Sequence, residues 1–303
     1  MPKVSVIIPV YGVEKFINRC AQSLFQQTLD DIEFLFIDDC TLDNSMQILK
    51  NELEKYPDCK SKVKIYRMPC NSGLPAVRKY GVALSKGEYI AHCDSDDWVS
   101  PNMYKLLYEK AKKDNLDIVW CDYYRSDGVT HIHVNLENQP KLIQGPVWNK
   151  LIRRSLYIDN EIDYPKCNKA EDGALMTQLS FYSQSRGYIS DPLYYYFINP
   201  NSICGQISEK ACLKKLEEEI NNTELRINFL KRHDVDEIYK DSILLWKLEC
   251  RKNLVPILYN KHYRHLWRNT YKEINKQILF SKFFSFKFKL RFILCLMNPR
   301  FKN

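Results

Sequence analysis

The first 125 residues alternate short apolar runs with amphipathic stretches, a rhythm that leaves few folds open. Val4–Pro9, Ile32–Ile37, Lys62–Met68, Glu88–Cys93 and Leu116–Tyr124 read as strands, and the first has the near-continuous apolar character of a strand buried on both faces. Between them, Val13–Gln27, Asp43–Tyr56 and Leu74–Leu84 read as helices, the second capped by Asp43 or Asn44. Ser100-Pro101 opens another, with Ser as N-cap and Pro at the first helical position. This βαβα succession predicts an α/β fold: a doubly wound, mostly parallel sheet with helices on both faces.

Between Asp127 and Gly145 the rhythm loosens, and His131, His133, Asn135 and Pro140 fall in a hairpin or loop excursion. Trp148–Ile158 reads as a short helix, Asp172–Ser183 as another, and Gly187–Ile198 as an aromatic strand. After Gly205 the composition changes: all nine glycines lie at or before it, and only Pro256 and Pro299 of the 13 prolines lie beyond. That remainder, rich in Lys, Glu, Leu, Ile and Asn, predicts three or four helices. A chain of 303 residues accommodates one large α/β domain, 1–205, and a helical appendage, 206–303.

A hydrophobic fraction of 45% provides a sizeable core and excludes wholesale disorder. Met1-Pro2-Lys3-Val4 enters a strand at once with no signal-peptide pattern, and no apolar run reaches the roughly 18 residues of a membrane span. The expectation is a cytoplasmic protein. Its eleven cysteines, odd in number and without a Cys-x-x-Cys pair, are expected to be reduced thiols, not a zinc site or disulfide framework.

In an open α/β sheet, ligands bind at the carboxyl ends of the strands. Pro9-Val10-Tyr11-Gly12 follows the first strand, Asp38-Asp39-Cys40 the second, Asn71-Ser72-Gly73 the third and Asp94-Ser95-Asp96-Asp97 the fourth. Two acidic clusters on one sheet edge repel each other unless a cation or hydrogen-bond donors meet them, and a divalent metal bridging carboxylates to a diphosphate is the simplest partner. Turn formation and helix capping also favour Asp, but Ser100-Pro101 already supplies that cap. Arg78 is open to two readings, a solvated helix face or a cation near a nucleotide. Glu171-Asp172-Gly173 opens a helix, either as an acidic first turn or with a general base aimed at an acceptor hydroxyl.

Together these motifs resemble the family 2 inverting glycosyltransferases of GT-A fold, with a Rossmann-like sheet. The resemblance runs through Val4–Tyr11, Phe36–Asp43, Asn71–Arg78, Lys86–Ile90 and Asp94–Asp97, then Trp148-Asn149-Lys150-Leu151 and Glu171-Asp172, covering roughly residues 3–204. It implies a nucleotide pocket lined by Pro9, Val10 and Tyr11, with Asp39 accepting a hydrogen bond from the base and Arg78 near the nucleotide. Asp94 would approach the ribose, Ser95 would lie beside the donor, Asp96 would bind Mn2+ or Mg2+, and Asp172 would be the catalytic base. The implied partners are a UDP-sugar donor and a glycan or lipid-linked acceptor, in surface polysaccharide assembly. Cys40 stands where glycine or asparagine is common, and Lys79 where asparagine is frequent. Tyr196-Phe197-Ile198-Asn199 lacks the histidine many members carry; His92, inside a strand, reads as a core residue and does not replace it.

Two other functions are weighed. A sugar nucleotidyltransferase on a similar sheet would want a glycine-rich phosphate loop, and Pro9-Val10-Tyr11-Gly12 offers one glycine. The alternative is a nucleotide-sugar-binding protein without catalysis, against which the presence of both Asp94–Asp97 and Asp172 argues.

The net charge of +8 belongs to the tail: residues 261–303 hold 11 Lys or Arg and one acid, Glu273. Within 276–302, Lys282, Lys287, Lys289, Arg291, Arg300 and Lys302 interleave with Phe280, Phe283, Phe284, Phe286, Phe288 and Phe292. Three readings are open: an anionic membrane at the inner face of the cytoplasmic membrane, aromatic packing on the rest of the protein, or nucleic acid as the least favoured. Phe286–Phe292 alternates with period two, which leaves its conformation open.

Overall fold

The structure is a computed structural model that describes residues 1–137, 145–199, 202 and 205–297. Pro140, Pro299, Arg300 and Lys302 lie outside the described residues. The chain divides into two compact units, residues 1–166 with 175–199 and residues 167–174 with 200–303.

The first unit carries β1 (Val4–Val10), α1 (Ile17–Phe25), β2 (Ile32–Asp38), α2 (Ser45–Leu53), β3 (Val63–Arg67), α3 (Leu74–Leu84) and β4 (Tyr89–His92). Then follow β5 (Trp98–Val99), α4 (Met103–Lys113), β6 (Ile118–Ser126), β7 (His131–Val134), β8 (Lys150–Arg153), α5 (Ser155–Ile158), α6 (Glu171–Tyr182) and β9 (Arg186–Phe197). The first turn of α6 belongs to the second unit. The sheet order is β3-β2-β1-β4-β8-β6-β9-β5, with β7 paired to β6. β3, β2, β1 and β4 are parallel, as is β6 with β9; β8, β7 and β5 pair antiparallel.

Side-chain alternation explains why both faces need helices. Val4, Val6, Ile8 and Val10 of β1 join one core, with Phe34 and Phe36 of β2 and residues of α1, α2 and α4. Ile7, Leu35 and Ile37 point into a second core with Val77 of α3 and Leu175 and Leu179 of α6. α3 lies so close to the sheet that a Cβ on Gly81 would meet Ile7 Cγ2 at 2.5 Å. β1 sits between β2 and β4, so the chain leaves it in both directions and the loops at its carboxyl end part there.

Four expectations need correction. The helix expected at Trp148–Ile158 is strand β8 followed by the short α5: Leu151 faces one core and Ile152 the other, the period of a strand wedged between β4 and β6. α1 starts at Ile17, after a turn in which Val13 O accepts from Phe16 and Ile17 N–H. Ser100 does not cap α4; Asn102 holds that position, and Ser100 O accepts from Met103 N. The helical region holds five helices among the described residues, not three or four.

Those five belong to the second unit, together with residues 167–174: α7 (Glu209–Arg232), α8 (Lys240–Lys252), α9 (Lys261–Asn269), α10 (Ile274–Phe280) and α11 (Phe286–Met297). Leu216, Leu244, Leu248, Trp267, Ile274 and Phe292 share its core. Arg251 is fully buried there and donates to Thr270 O (2.8 Å), Tyr271 O (3.0 Å) and Asn275 Oδ1 (2.8 Å). Burial pushes its guanidinium down to about 10. Three bonds to carbonyl-type oxygens let a cation sit inside a helical core.

Candidate functional site

The loop after β1 is tied to the loop after β2 by successive backbone donors. Gly12 N donates to Thr41 Oγ1 (2.8 Å), Val13 N to Ser45 Oγ (3.0 Å) and Glu14 N to Asp43 Oδ2 (3.0 Å). Asp43 Oδ1 in turn accepts from Thr41 Oγ1 (2.7 Å), Ser45 N (3.1 Å) and Ser45 Oγ (2.6 Å). Asp43 thus caps α2 from one residue before the N-cap Asn44 and also organises the neighbouring loop. Burial raises its carboxyl, but these bonds from Ser45, Thr41 and Glu14 outweigh that and hold it below the ordinary range. Thr41 and Ser45 are functional supports that the sequence reading missed. Cys40 adopts φ 59°, which explains why glycine or asparagine is common there, and its thiol donates to Met68 O (3.1 Å).

Of the expected pocket residues, Tyr11 is exposed and Pro9 half-buried, while Val10 turns its side chain into the core. Asp39 is buried. Its Oδ1 accepts from Ser72 N (2.8 Å) and its Oδ2 from Gly73 N (2.9 Å), locking the loop after β3 against β2. Gly73, at φ 82°, makes the left-handed turn that presents this N–H before α3 begins. Each Asp39 oxygen keeps a further lone pair for a base donor.

Arg78 is not on a solvated face: it is 1% exposed, and its Nη2 reaches Asp94 Oδ1 at 2.9 Å. Asp94 N donates to Tyr194 Oη (3.1 Å), whose hydroxyl donates to Asp97 Oδ2 (2.6 Å). Asp97 Oδ1 accepts from Phe197 N (2.7 Å). Asp97 is therefore the buried peg holding the acidic loop to β9. Burial, with Asp96 and Asp94 nearby, pushes its carboxyl well above the ordinary range, against the pull of Tyr194 and Phe197. Tyr194, stacked on Trp148 at 4.2 Å, gives no sign of this role in the sequence. Ser95 is buried beside it.

Asp96 is half-buried, and its Oδ2 accepts from Asn199 Nδ2 (3.2 Å). Asn199 thus meets Asp96 at the stretch where a histidine was missed. Burial raises the Asp96 carboxyl, while Asn199 and Arg19 pull it back. Arg19, whose guanidinium carbon lies 3.6 Å from the Trp98 ring centroid, donates to Asp96 O (3.2 Å). A carboxylate in this condition gains by meeting a divalent cation, and its oxygens suit Mg2+ or Mn2+. Among the described residues no three His, Cys, Asp or Glu converge as a metal-holding group. The donor set fits an ion that takes most of its ligands from diphosphate and water. His92 is fully buried against Tyr157 Oη (3.2 Å), as a core residue.

Trp148, Asn149 and Lys150 are all buried. Asn149 Nδ2 donates to Cys121 O (2.7 Å), and Lys150 Nζ to Asn149 Oδ1 (2.9 Å) and Pro146 O (2.5 Å), so this motif braces β8. Asp172 lies in the second unit, in the first turn of α6, with Glu171 before it and Gly173 after it.

The chain matches known proteins along this same stretch. Residues 5–171 fit the sequence profile described as glycosyl transferase family 2. The chain belongs to that family. EpsH of Bacillus subtilis (strain 168), a protein named for glycosyl transfer, is 33% identical over 228 residues, 69% of this chain and 64% of its own length. The present chain therefore spans under two thirds of that relative. Among solved structures, S. aureus TarS 1-349 in complex with UDP-GlcNAc superposes with a TM-score of 0.61 at 18% identity, covering 91% of each chain. The mannosyltransferase PcManGT from Pyrobaculum calidifontis, in complex with GDP-Man and Mn2+, does so with a TM-score of 0.59 at 10% identity, covering 99% of this chain and 88% of its own. At these identities the likeness is one of fold.

Proposed function

We propose that the protein is an inverting glycosyltransferase that moves a sugar from a UDP donor to an acceptor hydroxyl in cell-surface polysaccharide assembly. The observation that carries this is the placement of Asp39, Asp94 and Asp96 on loops at one sheet edge, with Arg78 of α3 paired to Asp94. In this reading Asp39 accepts from the base, Tyr11 and Pro9 flank it, Asp94 and Ser95 meet the ribose side, and Asp96 holds the metal. The UDP-GlcNAc in TarS supports a UDP donor, and the Mn2+ in PcManGT supports a metal. A bound Mn2+ or Mg2+ supplies neutralisation of charge on the departing diphosphate. Asp172 takes the proton of the acceptor hydroxyl while that oxygen bonds to the anomeric carbon; the bond to the β-phosphate oxygen breaks, and UDP leaves with its electron pair. One displacement inverts the anomeric centre.

A panel of nucleotide sugars in a thermal-shift assay with Mn2+ tests the class. A UDP-sugar at about 100 times its Kd adds about 2.7 kcal/mol, a rise of a few degrees. No shift with any nucleotide, or equal shifts with all of them, would contradict the donor assignment.

The tail supports a lipid-borne acceptor. Phe284 and Phe292 are buried in the helical core, and Phe284, just before α11, stacks on Phe288 and Phe288 on Phe292 within it. Phe280, Phe283, Phe286, Leu290 and Met297 are exposed, beside exposed Lys282, Lys287 and Arg291. The aromatics thus divide between packing and a basic apolar surface suited to anionic lipid. No described helix is long and apolar enough to cross a membrane. Deleting 276–303 would remove core residues Ile278, Phe284 and Phe292, so substitution is the better test. Phe283→Ser with Phe286→Ser and Lys287→Glu should lower retention on phosphatidylglycerol vesicles about tenfold, since each basic residue contributes about 1 kcal/mol at such a surface. Equal retention would remove the membrane reading.

A further inference from the structure

α7 presents Glu218, Asn222 and Arg226 at four-residue spacing, hence on one side of the helix. All three meet the same short segment. Asn222 Nδ2 donates to Cys167 O (2.8 Å) and to Lys169 O (2.8 Å). Glu218 Oε2 accepts from Lys169 N (3.0 Å). A Cβ added to Gly173 would lie 3.0 Å from Arg226 Nη1, so the guanidinium rests against the glycine backbone, with Trp246 stacked 3.4 Å away. Asn222 and Arg226 are 2% and 7% exposed. Between these anchors Ala170 holds φ 62°, a left-handed conformation that costs a residue with a Cβ roughly 1 kcal/mol or more and persists where surroundings enforce it. Asp172 sits inside the gripped segment, and contact clustering assigns residues 167–174 to the helical unit.

We propose that the Glu218–Asn222–Arg226 face of α7 is the positioning device for the acidic turn that carries Asp172. The helical unit then carries both Asp172 and the residues that hold its turn. This rests on Asp172 being the base. Asn222 is the specific element, because only an amide NH2 of this size donates to two carbonyls from one atom. Glycine at 173 lets the Arg226 guanidinium approach this closely, since a Cβ there would push it back by a few tenths of an ångström.

Asn222→Asp keeps shape and removes both donors, turning acceptors toward two carbonyl oxygens. In the full chain, amide exchange at 168–174 should accelerate, and kcat should fall about a hundredfold, as for a small displacement of a catalytic group. The KM for the UDP donor and the Kd for UDP should stay within about twofold, because the device acts on the base alone. Glu218→Ala, a milder change, should show the same pattern at smaller amplitude. Thr223→Val, also on α7, loses the contact of a buried hydroxyl with Cys250 Sγ of α8 (3.4 Å) and should lower stability and leave kcat unchanged. Unchanged exchange in both Asn222→Asp and Glu218→Ala would overturn the clamp whether or not sugar transfer is observed. Faster exchange with full kcat would overturn its positioning role. A wild-type protein that transfers no sugar, yet shows faster exchange in the variants, would fail the base assignment while the clamp stood.

Discussion

Asp172→Asn will reduce sugar transfer by about 10²–10⁴-fold, the usual worth of a positioned general base, while UDP binds with wild-type affinity. The substitution is isosteric and leaves in place the contacts that α7 makes with backbone atoms of Cys167, Lys169 and Gly173. Donor binding, placed on the first unit, should not register the change. The separation is the diagnostic: lost turnover with retained UDP affinity, read by UDP release and by calorimetry. Retained turnover would remove Asp172 as the base, and loss of both would mean that the turn also supports the donor site.

Asp96→Asn will produce the opposite pattern. UDP affinity in Mn2+ should fall by about a hundredfold, equivalent to about 2.7 kcal/mol, and what remains should no longer respond to chelation. The reason lies in the environments of the three acids. Asp94 Oδ1 is engaged by Arg78 at 2.9 Å, and both oxygens of Asp97 accept hydrogen bonds, from Tyr194 and Phe197. Asp96 is left facing an amide at 3.2 Å with burial raising its carboxyl. Of the cluster it has most to gain from a cation. Wild-type Mn2+ dependence in the variant would move the metal elsewhere.

Much of the first unit was legible because buried strands and amphipathic helices carry their periods in the chain. Val4–Val10 and Ile32–Asp38 emerged close to their expected bounds. The strand β8 was not, since Lys150-Leu151-Ile152-Arg153 is too short to display a period and takes its conformation from β4 and β6 on either side. The acidic residues of the site could be found because carboxylates at strand ends are conspicuous. Their supports could not. Tyr194 and Asn199 lie about a hundred residues from the acids they meet, the first in a strand whose aromatic sequence reads as core and the second just beyond its end. Arg78 was ambiguous until its burial and its pairing with Asp94 excluded a solvated helix face. Glu218, Asn222 and Arg226 look like ordinary polar helix residues in the sequence, and only the structure shows that they meet one short segment. The interleaved phenylalanines left the conformation open for a related reason: their period of two masks the four-residue spacing of Phe284, Phe288 and Phe292, the rings that stack on one another.

The central claim, a metal-assisted UDP site built on Asp39, Arg78, Asp94 and Asp96, is tested most directly by titrating UDP into the wild-type chain with Mn2+ and again with excess EDTA. Saturable one-to-one binding that weakens at least about tenfold on chelation is the predicted result. Absence of UDP binding with Mn2+ present, or equal affinity in both titrations, would contradict it.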